Sequence, residues 1–200
     1  MRIIKINSNN PSLETIKIAA KVLKNGGVII YPTDTIYGLG ASALDKNSVK
    51  KIYEVKKRPA TKPLSIVVKD IKMAKKYCAM SKKQEEIFSS LLPGPFTLIF
   101  KKCSDKCPSR IFTGYKNTFS VRIPDYKITA LLAKELKIPL TSTSANISGL
   151  PGSGDINKVL RQLENKKNRI DLVLDAGVLP KKNSSTIIDL TGNEPKIIRK

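Results

Sequence analysis

The sequence contains no histidine. That absence removes serine-histidine and cysteine-histidine catalysis, histidine general bases and histidine metal sites together. Cysteine is almost as scarce: Cys78, Cys103 and Cys107 form an odd, sparse set, which argues against a disulfide framework and for a reducing compartment. Cys103 and Cys107 have a spacing that could begin a zinc site, but with no second pair and no histidine the expectation is no protein-bound metal. No apolar run approaches the roughly eighteen residues of a membrane span, and the opening MRIIKINSNN lacks the apolar core of a signal peptide. The expected location is therefore cytoplasmic. G-x-x-x-x-G-K-[ST] is absent, which excludes a P-loop, and so is the G-x-S-x-G elbow. Gly38 to Ala43 fits the loose pattern G-x-G-x-x-A, yet about twenty residues on stand Arg58 and Lys62 instead of a ribose-binding acid.

What is present is an ordinary globular composition, 40% hydrophobic and 26% charged over 200 residues, enough chain for a sizeable core. The formal charge of +21 suits a phosphate-rich partner, nucleotide or RNA. Thirty of the 37 basic residues are lysines scattered along the chain, so the charge alone says only that RNA is compatible; the seven arginines are the better pointers.

Val28 to Gly40, VIIYPTDTIYGLG, organises the rest. Val28 to Tyr31 has the β-branched and aromatic character of a buried strand that Pro32 ends. Thr33, Asp34 and Thr35 are small polar groups at a strand end, and Gly38 and Gly40 suggest a bend with positive φ or a close backbone approach to something bound. Before this stretch, Arg2 to Ile6 alternates like a strand, and Ser12 caps a helix that Asn25-Gly26-Gly27 stops. After it come a short helix carrying Val49, Ile52 and Tyr53, a strand over Leu64 to Val68, and a capping box at Ser81 and Gln84 opening a helix to Leu91. Strands follow at Phe96 to Phe100 and Thr118 to Ile123, with residues 102–117 between them read as an exposed loop. A helix over Ile128 to Leu136, a strand over Pro139 to Ser144, a helix bearing Ile156 to Leu163 and three final strands complete the pattern. Strands and helices interleave without repeat or linker, predicting one α/β domain over residues 1–200 around a curved mixed sheet flanked by helices.

Three clusters stand out at strand ends. Lys56, Lys57, Arg58 and Lys62 sit on a segment stiffened by Pro59 and Pro63, suited to a polyphosphate. Thr141 to Ser148 supplies five hydroxyls and the Asn146 amide, and Ser184-Ser185-Thr186 precedes IIDL, with Arg199 ending the last strand. In this order, YPTDTIYGLG, KKRPATKPL, TFSVRIP, STSANISG, SSTIIDL and IIR resemble the YrdC-like family of threonylcarbamoyl-adenylate synthases over Ser12 to Arg199.

The resemblance implies an enzyme of nucleotidyltransferase type that joins L-threonine, bicarbonate or carbon dioxide, and ATP into threonylcarbamoyl-AMP and pyrophosphate, the first step of tRNA threonylcarbamoyladenosine formation. It implies catalytic roles for Lys56, Arg58 and Lys62, nucleotide contacts from Arg58, Lys62, Thr118, Asn146 and Arg199, and threonine contacts from Thr35, Arg122, Ser144 and Ser185. Magnesium would arrive with ATP, and downstream threonylcarbamoyl-transfer proteins would take the product. Two departures are visible: Val67 stands where many relatives carry a histidine, and Gly152-Ser153-Gly154 replaces a Ser-Pro-Thr, leaving a nucleotide contact from Ser153 open. The loop from Lys102 to Lys116 is a candidate for closing the site. The competing readings are a carbamoyl-adenylate-forming domain of hydrogenase-maturation type and a non-catalytic RNA-binding module.

Overall fold

A computed structural model describes residues 1–103, 117–180 and 184–200. The expected closing loop, like Cys107, falls largely at 104–116 and so lies outside the described residues. In chain order the elements are β1 (Arg2–Lys5), α1 (Leu13–Lys24), β2 (Val28–Tyr31), β3 (Gly38–Ala41), α2 (Lys46–Lys56), β4 (Ser65–Val67), α3 (Ile71–Ala74), β5 (Cys78–Ala79), α4 (Lys82–Leu91), β6 (Phe96–Lys102), β7 (Thr118–Arg122), α5 (Lys127–Leu136), β8 (Leu140–Ser144), α6 (Ile156–Gln162), a 3-10 turn (Glu164–Arg169), β9 (Leu172–Asp175), β10 (Thr186–Asp189) and β11 (Lys196–Arg199).

The caps read from sequence form. The Ser12 side chain accepts from the Thr15 amide at the start of α1, and Ser81 with Gln84 makes the reciprocal capping box of α4. Gly26, with φ of +80°, takes the left-handed turn after α1.

The strands join one mixed sheet in the order β1, β9, β2, β3, β8, β4, β7, β6, β10, β11, with β5 added beside β6. The pairs β1/β9, β9/β2, β4/β7 and β6/β10 are parallel and the others antiparallel. Each strand sends alternate side chains to opposite faces. Val28 and Ile30 enter one core, shared with Ile52, Phe100 and Phe119; Ile29 and Tyr31 enter a second, shared with α1 and α5. Ile16, Ala20 and Leu23 of α1 meet Ile128, Leu132 and Leu136 of α5 there, and burying each of the isoleucine and leucine side chains is worth about 1.5–3 kcal/mol.

The Gly-Leu-Gly stretch is a strand and not the expected bend. Gly38 to Ala41 forms β3, antiparallel to β2, with Tyr31 opposite Gly38 and Ile29 opposite Gly40. The close approach that demands glycine comes from within the protein. A Cβ at Gly40 would lie 2.7 Å from Tyr31 Cε1 and 2.9 Å from Leu140 Cδ1, and one at Gly38 would lie 2.9 Å from Tyr31 Cζ. The buried Tyr31 ring lies across both glycines, and its hydroxyl donates to the Thr141 carbonyl at 3.3 Å.

Helices α1 and α5 pack on the second face around Ile29, Leu172 and Leu174, and Val67 and Leu140 carry that face towards β4 and β8. Farther across, the register sets Arg122 beside Val67 and Ile187 beside Thr97. The same face thus changes from apolar to polar, and the polar part is where the site lies.

Candidate active site

A cleft of about 210 Å³ opens over this polar part of the sheet, lined by the turn after β2, the segment before β4, the ends of β7 and β8, and the ends of β6, β10 and β11. It brings together Thr35, Arg58, Arg122, Ser144, Ser185 and Arg199, six of the residues singled out from sequence, although they come from six separate stretches of chain. Thr33, Ser65, Thr97, Ser142 and Thr143 add further hydroxyls.

Each of the three guanidiniums is anchored differently. Arg58 donates from Nε to the Lys62 carbonyl at 3.1 Å and from an Nη to the Pro63 carbonyl at 2.8 Å, so it braces its own Pro-bounded loop. Arg199 donates to the Ser185 carbonyl at 2.8 Å, while the Ser185 hydroxyl pairs with Thr97 Oγ1 at 2.9 Å. Burial lowers the pKa of both arginines, and Arg122's charge contributes at Arg199. Both guanidiniums stay charged at neutral pH.

Arg122, expected to contact threonine, already carries an acidic partner. It is buried at the end of β7 and donates to Asp34 Oδ1 at 2.9 Å. Asp34 comes from the β2–β3 turn, which the Thr33 hydroxyl ties together by accepting from the Thr35 amide at 3.1 Å and donating to the Ile36 carbonyl at 2.7 Å.

Four expected site residues stand apart from the cleft lining. Lys56, the last residue of α2, turns inward and is 2% exposed. Its ammonium donates to the Ser144 carbonyl, to the Asn146 carbonyl at 2.9 Å and to Asn146 Oδ1 at 2.8 Å. Three donors meet three acceptors, so the cation expected to serve phosphate faces the Ser144 and Asn146 oxygens here and not the cleft. Burial, with Arg58's charge second, pushes the Lys56 pKa down to about 7. Asn146 is buried behind the cleft; its Oδ1 also accepts from the Ser144 hydroxyl, and its amide donates to the Ile147 carbonyl at 3.0 Å. Lys56 and Asn146 therefore shape the β8–α6 loop that presents Ser144. Lys62 is exposed, and its carbonyl is held by Arg58 and by the Tyr53 hydroxyl at 3.0 Å. Thr118 lies on the cleft face of β7, opposite Lys101 and two alternations from Arg122.

Val67, at the position of the relatives' histidine, is buried in the second core under α1 and α5. Ser153 lies in a neighbouring hollow with Lys158 and Gln162, where its hydroxyl accepts from the Asp155 amide at 3.0 Å. Asp34 was legible in the sequence only as a polar turn residue, because nothing local reveals a partner 88 positions away. Among the described residues no group of three or more cysteines, aspartates or glutamates could hold a metal ion, and no helix is long and apolar enough to cross a membrane.

The Sua5/YciO/YrdC family model, described as telomere recombination, matches residues 21–200. The chain is 36% identical over 185 residues to a threonylcarbamoyl-AMP synthase of Pyrococcus abyssi, covering 92% of this chain and 53% of that protein. It thus spans about half the length of this curated relative. Among solved structures, Pyrococcus abyssi Sua5 complexed with L-threonine superposes with a TM-score of 0.91 at 33% identity, covering 100% of this chain and 57% of that one. Escherichia coli YciO gives a TM-score of 0.89 at 27% identity, covering 100% and 95%.

Proposed function

The chain belongs to the Sua5/YciO/YrdC family, and we propose that it is an L-threonylcarbamoyl-adenylate synthase, using L-threonine, bicarbonate or carbon dioxide, and ATP. The observation that carries this reading is the convergence of Arg58, Arg122 and Arg199 with Thr35, Ser144 and Ser185 on one cleft. Guanidiniums match carboxylate and phosphate oxygens, and hydroxyls match the neutral or shared-proton groups of an amino acid.

In this reading the threonine carboxylate meets Arg122, and its hydroxyl and amine meet Thr35, Ser144 and Ser185. Arg58 and Arg199 take the phosphates, with Lys62 and Thr118 at the outer part of the nucleotide. Carboxylation of the free amine forms an N–C bond; with carbon dioxide the amine releases a proton, and with bicarbonate a C–O bond breaks and the departing hydroxide carries that proton away as water. A carbamate oxygen then attacks the α-phosphorus, a P–O bond forms, and the bond to the departing pyrophosphate breaks. No protein nucleophile is required, so a histidine-free chain suffices; alignment and dispersal of phosphate charge provide the acceleration. Magnesium enters on ATP as part of the substrate. Lys56 and Asn146 act as positioning residues for Ser144. The product passes, in the cytoplasm, to proteins that transfer the threonylcarbamoyl group to tRNA.

Incubation with ATP, magnesium, labelled threonine and bicarbonate tests this, with an adenylated threonylcarbamoyl product expected. Dependence on carbamoyl phosphate would instead favour the hydrogenase-maturation chemistry, and salt-sensitive RNA binding with no turnover would favour the binding module.

A further inference from the structure

The cleft lining contains three guanidiniums and no carboxylate among its described residues. Among the described residues the one acid paired with them, Asp34, stands outside the lining. Its side chain is 2% exposed and that of Arg122 10%. The two meet through a single contact, Arg122 Nη to Asp34 Oδ1 at 2.9 Å, and both Asp34 Oδ2 and Arg122 Nε are buried without a hydrogen-bond partner. An ion pair serving only to hold the fold would gain from the two-pronged arrangement that a guanidinium and a carboxylate readily form. Here the pairing uses one donor of the guanidinium's five, so a ligand carboxylate can engage Arg122 without displacing Asp34.

We propose that Asp34 is the specificity-determining partner of Arg122, neutralising it so that this end of the cleft accepts a zwitterionic α-amino acid over an anion of the same shape. This rests on the amino-acid-binding reading of the site given above. The electrostatics are local. An unneutralised Arg122 attracts a carboxylate but repels the α-ammonium a few ångströms from it, which penalises a zwitterion and rewards a simple carboxylate. With Asp34 ionised the pair has no net charge, and the anion loses its advantage. Asp34 also moderates the field between Arg122 and Arg199, which feel one another across the cleft. Threonine's ammonium then meets no net positive charge at Arg122, while ATP's phosphates are directed to Arg58 and Arg199.

The test is calorimetric binding of L-threonine and of its analogue 2,3-dihydroxybutanoate, which carries a hydroxyl in place of the ammonium, to the whole chain and to Asp34→Asn. Asparagine keeps an acceptor for Arg122 and removes the charge. Preference for threonine over the analogue should fall by about tenfold or more in D34N, with ATP affinity changed less than about twofold. Asp34→Glu, which retains the charge, should keep the preference; should D34N not fold, Asp34→Ser is expected to lose the preference in the same way. A preference unchanged in a folded, charge-removed variant overturns the proposal, as does an equal loss of affinity for both ligands, the mark of a merely structural role. If the unaltered protein binds no threonine, the functional reading itself falls, and this inference with it; threonine binding with an unchanged ratio removes this inference alone.

Discussion

Burial pushes the Lys56 amine from its ordinary 10.5 down to about 7. Between those values the unfolded chain holds a proton that the folded chain has released, so this residue's contribution makes stability rise with pH from about 7 to 10.5, by up to about 1.4 kcal/mol per pH unit. Urea unfolding across that window should show the rise, and Lys56→Met should abolish it. The same variant should be destabilised at pH 7 by about 1–3 kcal/mol, because it strands the carbonyls of Ser144 and Asn146 and the Asn146 amide oxygen. At Arg58 the balance is reversed. Its guanidinium borders the cleft as well as bracing its loop, and Arg58→Ala should lower turnover by about a hundredfold or more while moving the melting temperature by only a few degrees. A loss of turnover matched by collapse of the fold would reduce Arg58 to a loop brace.

Among the elements, the β2–β3 hairpin carries the most specific packing. Alanine at Gly40 would press on Tyr31 and Leu140 at 2.7 and 2.9 Å, an overpacking expected to cost about 1–3 kcal/mol. Combined with Tyr31→Leu, which removes the ring from above the glycine, the penalty should be less than additive, and thermal unfolding of the single and double variants measures the coupling. The hairpin also shows where local sequence stops being informative. Val28 to Tyr31 announces a strand through its own β-branched and aromatic residues, but Gly38 to Ala41 has little strand propensity; it is a strand because a ring from the neighbouring strand needs two positions without side chains. Helix caps such as Ser12 and Ser81 were readable because their partners lie three residues away. At the site the rare arginines were legible as charge in a lysine-rich chain. The inward turn of Lys56 was not, since a lysine among basic neighbours looks exposed until the loop of Ser144 and Asn146, some 90 positions on, supplies its acceptors.

For the whole molecule, the sheet order does what the linear order cannot: it lays β4, β7, β6, β10 and β11 side by side, so that loop 57–63, Arg122, Ser185 and Arg199 share one face. The excess of 21 positive charges surrounds this face with a field that draws anionic substrates, and the KM for ATP should therefore rise with added salt while the threonine KM, set by a neutral zwitterion, changes less. In the proposed reaction one cleft receives both reactants. A crystal structure with L-threonine and a non-hydrolysable ATP analogue tests it most directly. The threonine carboxylate should lie on Arg122, its hydroxyl among Thr35, Ser144 and Ser185, and the phosphates between Arg58 and Arg199; either ligand bound outside that cleft, with these side chains untouched, overturns the proposed synthase site.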